Sequence, residues 1–144
     1  MTKTSVTLLA LTCAFTLAAC GGNQAEGEHA AGAAQASSSA GLPAGHIEAG
    51  MTLASKGGTG IAACASCHGA EGNAPIDGMY PKLGGQYADY IAHSLQAYRG
   101  GTRAGGNADI MAAQAKALSD QQIADLAAYF ASVPTQLRDL QNAN

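Results

Sequence analysis

Residues 64–68 read Cys64-Ala65-Ser66-Cys67-His68. Two thiols three positions apart can add to the two vinyl groups on one edge of a porphyrin, and the imidazole beside the second thiol is then placed to ligate the iron from one face. This C-x-x-C-H run is the attachment signal of a covalently bound c-type haem. Scattering the 4 Cys and 4 His of this chain at random through 144 residues would produce it roughly a few times in a thousand. The sequence therefore predicts haem c, held through Cys64 and Cys67, with His68 as an axial iron ligand.

Rival chemistries fail on inventory. A structural zinc site needs about four Cys or His ligands in two clusters, and the other cysteines, Cys13 and Cys20, stand far off in an N-terminal segment of a different kind. A thioredoxin-like dithiol would open a helix after a buried strand, and no strand pattern precedes Cys64. The second axial ligand must come from elsewhere. Met79, Met111, Met51, His93 and His46 are the candidates, since thioether and imidazole both serve haem iron.

The elements that position these residues are helical. Ser119-Asp120-Gln121-Gln122 is a capping box, followed by Ile123, Leu126 and Phe130 at helical spacing until Pro134 forbids continuation. In residues 86–98, Tyr87, Ile91, Leu95 and Tyr98 share one face, and Gly100-Gly101 provides the stop. His93 falls off that face and reads as a surface residue. Ile47, Met51 and Ala54 predict a further helix ending near Gly57, and 107–117 is alanine-rich and partly helical. No run alternates as a strand. The chain is predicted to be all-α, with one haem because there is one C-x-x-C-H. Met51 and Met79 are expected to fill gaps in the core, and His46 to face solvent.

Upstream, Lys3 precedes an apolar run from Val6 to Ala19 that is too short to span a bilayer. It reads as the core of a signal peptide. Leu17-Ala18-Ala19-Cys20-Gly21 resembles the lipobox of bacterial lipoproteins, which predicts cleavage after residue 19, a lipidated Cys20, export, and a lipid anchor in a bacterial membrane on its periplasmic side. Plain secretory cleavage is the alternative. Gly21 after the cysteine leans toward the outer membrane. Residues 21–45 are nearly all Gly, Ala, Ser, Gln and Glu, a composition that cannot bury enough apolar surface to order itself. As a tether they would span about 25–30 Å on average and about 80–90 Å fully extended. The expected organisation is a signal over 1–19, a lipidated N-terminus and linker over 20–45, a haem domain over 46–137 and a tail over 138–144.

The full chain carries a net charge of −3, and loss of Lys3 with the signal makes it more acidic still. No electrostatic footprint for nucleic acid is present. So small a domain, rich in alanine and glycine, has little core of its own, and a buried haem would supply the missing apolar mass.

From Cys64 to Val133 the sequence resembles a small bacterial class I cytochrome c, and is similar to one half of the dihaem members of that class. The resemblance rests on Cys64-Ala65-Ser66-Cys67-His68-Gly69, on Tyr80-Pro81-Lys82-Leu83-Gly84-Gly85-Gln86-Tyr87, and on the run from Leu118 to Phe130. It implies about four helices around one covalently bound haem. It also implies a distal methionine shortly before the last helix, which is Met111; the chain between His68 and Met111 is long enough to wrap the opposite haem face, whereas Met79 is close to His68 in sequence. A proline carbonyl should accept the second imidazole N–H, pointing to Pro81, with Pro75 the alternative. Arg99 and Arg103 are candidates for pairing with haem propionates, with solvated arginines the plainer reading. Gly50 against Tyr129 or Phe130 resembles the family's close crossing of first and last helices, and 56–61 looks like an insertion. With the lipobox and linker, the expectation is a tethered electron carrier working with redox protein partners and not an enzyme, since histidine and methionine on the iron leave no position open for substrate. A haem subunit of a membrane dehydrogenase or terminal oxidase, and a haem-based sensor, are the alternatives.

Overall fold

The computed structural model describes residues 40–137. The signal, Cys13, Cys20, most of the linker and the tail lie outside the described residues. Five α-helices follow one another: α1 (Ile47–Lys56), α2 (Ala65–His68), α3 (Ala88–Arg99), α4 (Ala108–Ala115) and α5 (Asp120–Ser132), with a 3-10 turn (Ala70–Gly72) after α2. Among the described residues the sole β pairing is an isolated bridge between Gly58 and Ile61.

The last helix is the organising element. Both bonds of its capping box form: the Gln122 N–H donates to Ser119 Oγ at 3.2 Å, and the Ser119 N–H to Gln122 Oε1 at 2.9 Å, satisfying two of the donors a helix start leaves open. Val133 is extended, as a residue before proline should be. The predicted stripe of Ile123, Leu126 and Phe130 is buried, and Ile123 and Leu126 are the largest side chains excluded from solvent altogether. Much of the remaining core is alanine, at 54, 92, 115, 124 and 127.

Helix α1 crosses α5 where Gly50 meets the Asp125 carbonyl and the Tyr129 side chain. Any side chain at 50 would overlap that carbonyl, so the close crossing exists because residue 50 is glycine. The start of α1 has no cap from its own side chains; Asp125 of α5 supplies one, accepting the His46 N–H at 2.8 Å. His46 Nδ1 also lies 3.1 Å from Asp125 Oδ1. His46 is thus exposed, as expected, but engaged. The carboxylate is buried, and accepts a further bond from Gln121.

Helix α3 begins two residues later than the periodicity suggests. Tyr87 is its N-cap with extended backbone, and its side chain is 83% exposed rather than on the buried face; Ile91 and Ala92 carry that face, supported by Leu95 and Tyr98. Met51 and Met79, expected in the core, are 42% and 43% exposed. The apolar stripe of α1 is carried by Gly50, Leu53 and Ala54, which leaves Met51 on the other side.

The folded segment starts earlier than 46. Leu42 packs against the core, Gln96 Nε2 donates to the Ala40 carbonyl at 3.1 Å, and Gln121 Nε2 to the Ala44 carbonyl at 2.8 Å. Composition hid this, because backbone carbonyls rather than side chains make most of these contacts. At the other end Gly85 N–H donates to the Phe130 carbonyl at 2.8 Å, so the 82–85 loop is pinned to α5.

Candidate haem site

A cavity of about 490 Å³ opens between α3, α4, α5 and the segments 61–68 and 79–83, within the roughly 300–1,000 Å³ of ligand clefts. Ile61, Leu83, Ile91, Leu95, Leu118, Leu126 and Phe130 give it apolar walls, and Cys64, Cys67, His68 and Met111 all open onto it. Residues far apart in sequence therefore converge on one space. The turn at 57–61 contributes Ile61, buried at one wall.

The C-x-x-C-H run forms the single turn of α2, with the His68 N–H donating to the Cys64 carbonyl at 2.9 Å. Gly69 ends it at φ +76°, where a side chain would collide with the Ala74 carbonyl. Helical phase puts both cysteines and the histidine on the cavity side. Burial pushes the Cys64 thiol up to about 11. A thiol that stays protonated near neutrality is not primed for dithiol exchange, which further disfavours a thioredoxin-like reading.

His68 is buried, at 4% exposure. Its Nδ1 lies 2.8 Å from the Pro81 carbonyl. A carbonyl can only accept, so Nδ1 carries the proton and Nε2 holds the lone pair. That Nε2 is buried with no hydrogen-bond partner, a condition costing about 1–3 kcal/mol if nothing binds there. An imidazole lone pair facing an apolar cavity beside two thiols fits a haem that the cysteines would hold covalently and whose iron His68 would ligate.

Met111, on α4, lines the cavity together with Met79, so both methionines border the space and His93, on the exposed side of α3, does not line it. Arg103 lines the cavity, its guanidinium 4.7 Å from the Tyr98 ring centroid and donating to Ser94 Oγ at 3.2 Å. Arg99, the other candidate, donates to the Leu118 carbonyl at 2.9 Å and to Asp120 Oδ1 at 2.6 Å, fastening α3 to the start of α5. Sequence reading missed Tyr80, which lines the cavity against His68, and Gln114, whose Oε1 accepts from the Ala62 N–H at 3.3 Å. Tyr80 stands next to Pro81, which was the available signal.

The cytochrome c family model matches residues 47–134. Cytochrome c-554(548) of Halomonas halodenitrificans is 51% identical over 74 residues, covering 50% of this chain and 86% of that relative. A protein of Stutzerimonas stutzeri named thiosulfate dehydrogenase electron acceptor is 40% identical over 73 residues, 51% of this chain and 33% of its own length. Reduced recombinant cytochrome c4 from Pseudomonas stutzeri has a similar structure, with a TM-score of 0.56 and 34% identity over 61% of this chain and 48% of that one. The chain thus spans about half of the cytochrome c4 it matches. It belongs to the cytochrome c family, as a small class I c-type cytochrome that transfers electrons through covalently bound haem c.

Proposed function

We propose that this chain is a lipid-tethered, single-haem electron carrier in which Cys64 and Cys67 would form the thioether links, His68 Nε2 and Met111 Sδ would ligate the iron, and Pro81 O would fix the imidazole. The observation that carries the reading is the buried, partnerless Nε2 of His68 in a cavity that also receives both thiols and a methionine. Bound haem c supplies a one-electron couple. The chain's own part is to keep water out with its apolar walls, to hold both ligands in place through the electron's arrival and departure, and to set the potential through their identity. A methionine ligand raises that potential relative to two histidines, which suits a place toward the oxidising end of a respiratory chain. Arg103 is the candidate partner for a propionate.

Class I c-type cytochromes are exported to the periplasm and act with redox partners. Here the Cys20 anchor and the polar linker would let the domain sweep above its membrane and meet donor and acceptor in brief contacts over small interfaces. The competing reading is a haem subunit of a larger dehydrogenase; the relative named as a thiosulfate dehydrogenase electron acceptor points to a dehydrogenase as the kind of donor in either case. Purification from mildly solubilised membranes separates the two: a carrier leaves alone, a subunit brings stoichiometric partners.

Two results test the assignment. Colour is expected to stay with the polypeptide through denaturation and acid–organic extraction, as a thioether-linked haem must; complete loss of haem would sink the covalent attachment at Cys64 and Cys67. Cys20→Ser is expected to release the domain from the membrane, or to leave it unprocessed, with its visible spectrum unaltered. Membrane retention and lipid labelling equal to wild type would remove the anchor from the proposal.

A further inference from the structure

Two contacts grip the His68 imidazole, and they come from consecutive residues. Pro81 O accepts from Nδ1 at 2.8 Å. The Tyr80 ring stands across the imidazole, centroids 5.9 Å apart and planes at 80°, the edge-to-face arrangement that aromatic pairs favour. A single N–H···O bond lies in the ring plane and tolerates a broad range of orientations at the carbonyl, so by itself it lets the ring rock about the bond. A perpendicular aromatic neighbour opposes that rocking. Together the two contacts define a plane, which neither does alone.

The loop that bears them is itself immobilised. The Tyr80 N–H donates to the Asp77 carbonyl at 3.1 Å and the Met79 N–H to Asp77 Oδ1 at 2.9 Å, closing a tight turn just before the pair. Beyond it, the Leu83 N–H donates to the Gly72 carbonyl at 2.8 Å, and the 82–85 loop is pinned to α5 as described above. Tyr80 is thus referenced both to α5 and to the turn that follows His68. Its hydroxyl makes no hydrogen bond among the described residues, so the ring is the part in use.

We propose that Tyr80 is a positioning residue that, with Pro81 O, sets the plane of the proximal imidazole about its bond to the iron. The proposal rests on His68 Nε2 being that ligand. Residues behind a metal-bound imidazole orient it and tune the metal, and the orientation of the imidazole plane governs how its π orbitals meet those of ferric iron. A plane held alike in both oxidation states also leaves less to rearrange when an electron arrives.

The test is proton NMR of the holoprotein, with Tyr80→Leu and Tyr80→Phe beside wild type. In the ferric state Tyr80→Leu should lose the wild-type order and spread of the four haem methyl resonances, or broaden them through exchange between ring orientations, and its reduction potential should shift; Tyr80→Phe should restore the wild-type pattern. An unchanged methyl pattern in Tyr80→Leu overturns the proposal, and so does a Tyr80→Phe pattern that follows Tyr80→Leu, because that would put the function in the hydroxyl. Should Tyr80→Leu not accumulate as holoprotein, the diamagnetic ferrous wild type decides: cross-relaxation between Tyr80 and His68 ring protons supports the contact, and its absence overturns it. His68→Ala keeping a wild-type low-spin spectrum would instead overturn the ligand assignment, whatever Tyr80 does.

Discussion

Met111→Ala abolishes the weak long-wavelength charge-transfer band of the oxidised protein, opens the reduced haem to carbon monoxide and lowers the reduction potential. That is the expected result if the thioether of α4 occupies the sixth iron position. Sulfur on ferric iron produces the band, and an occupied position keeps carbon monoxide off ferrous iron under native conditions. Loss of the electron-rich thioether, which favours the ferrous state, accounts for the fall in potential. The control is Met79, which opens onto the same cavity but is 43% exposed. Met79→Ala should leave the band in place and cost at most about 1 kcal/mol, the usual scale for a half-exposed side chain away from special features. If Met79→Ala alone removes the band, the ligand assignment moves to Met79 and the carrier reading stands. Rapid carbon monoxide binding by the wild type would favour a sensor with an open iron position.

What could be read from sequence was local in sequence. The C-x-x-C-H run brings thiols and imidazole together within one turn of chain, so its chemistry needs no fold to be recognised. The capping box at Ser119 and Gln122 is likewise complete within four residues, and α5 has the bounds it implies. Periodicity found α1 and α3 for the same reason, and alanine content pointed to α4. It placed Tyr87 on the buried face because a 3.6-residue period does not say where the helix begins; with Tyr87 as N-cap, its side chain leaves the stripe.

What could not be read joins distant positions. His46 and Asp125 are 79 residues apart, and nothing in a histidine at a linker boundary announces that a buried carboxylate will cap the helix it starts. Arg99 offered charge near a haem, but which anion it meets depends on how α3 lies against the start of α5, where Asp120 and the Leu118 carbonyl take it. Residues 40–45 show the limit of composition as a guide: a stretch rich in alanine and glycine reads as tether, yet its carbonyls find Gln96 and Gln121 on two different helices. Tyr80 lies within a recognised run, and its role depends on a ring contact that only the folded loop displays.

Gly50→Ala is expected to be among the most damaging single-methyl changes in the domain. A Cβ at 50 would overlap the Asp125 carbonyl and crowd Tyr129 Cβ, and a helix carbonyl cannot swing aside without giving up its own ladder bond. The helices must therefore part. Overpacking of this kind costs about 1–3 kcal/mol and occasionally more, and here the upper end applies, because the α1–α5 seam also holds Leu53, Ala54 and the Asp125 cap on α1. Against the 5–15 kcal/mol of a typical domain, such a loss would show as a melting temperature lower by ~10 °C or more, or as a failure to accumulate holoprotein. Gly78→Ala is the matched control, since a methyl there meets nothing within 4 Å. Thermal unfolding of the two variants followed at the haem absorbance compares them directly. Equal melting temperatures would mean that α1 and α5 do not cross at Gly50 as closely as the structure has them.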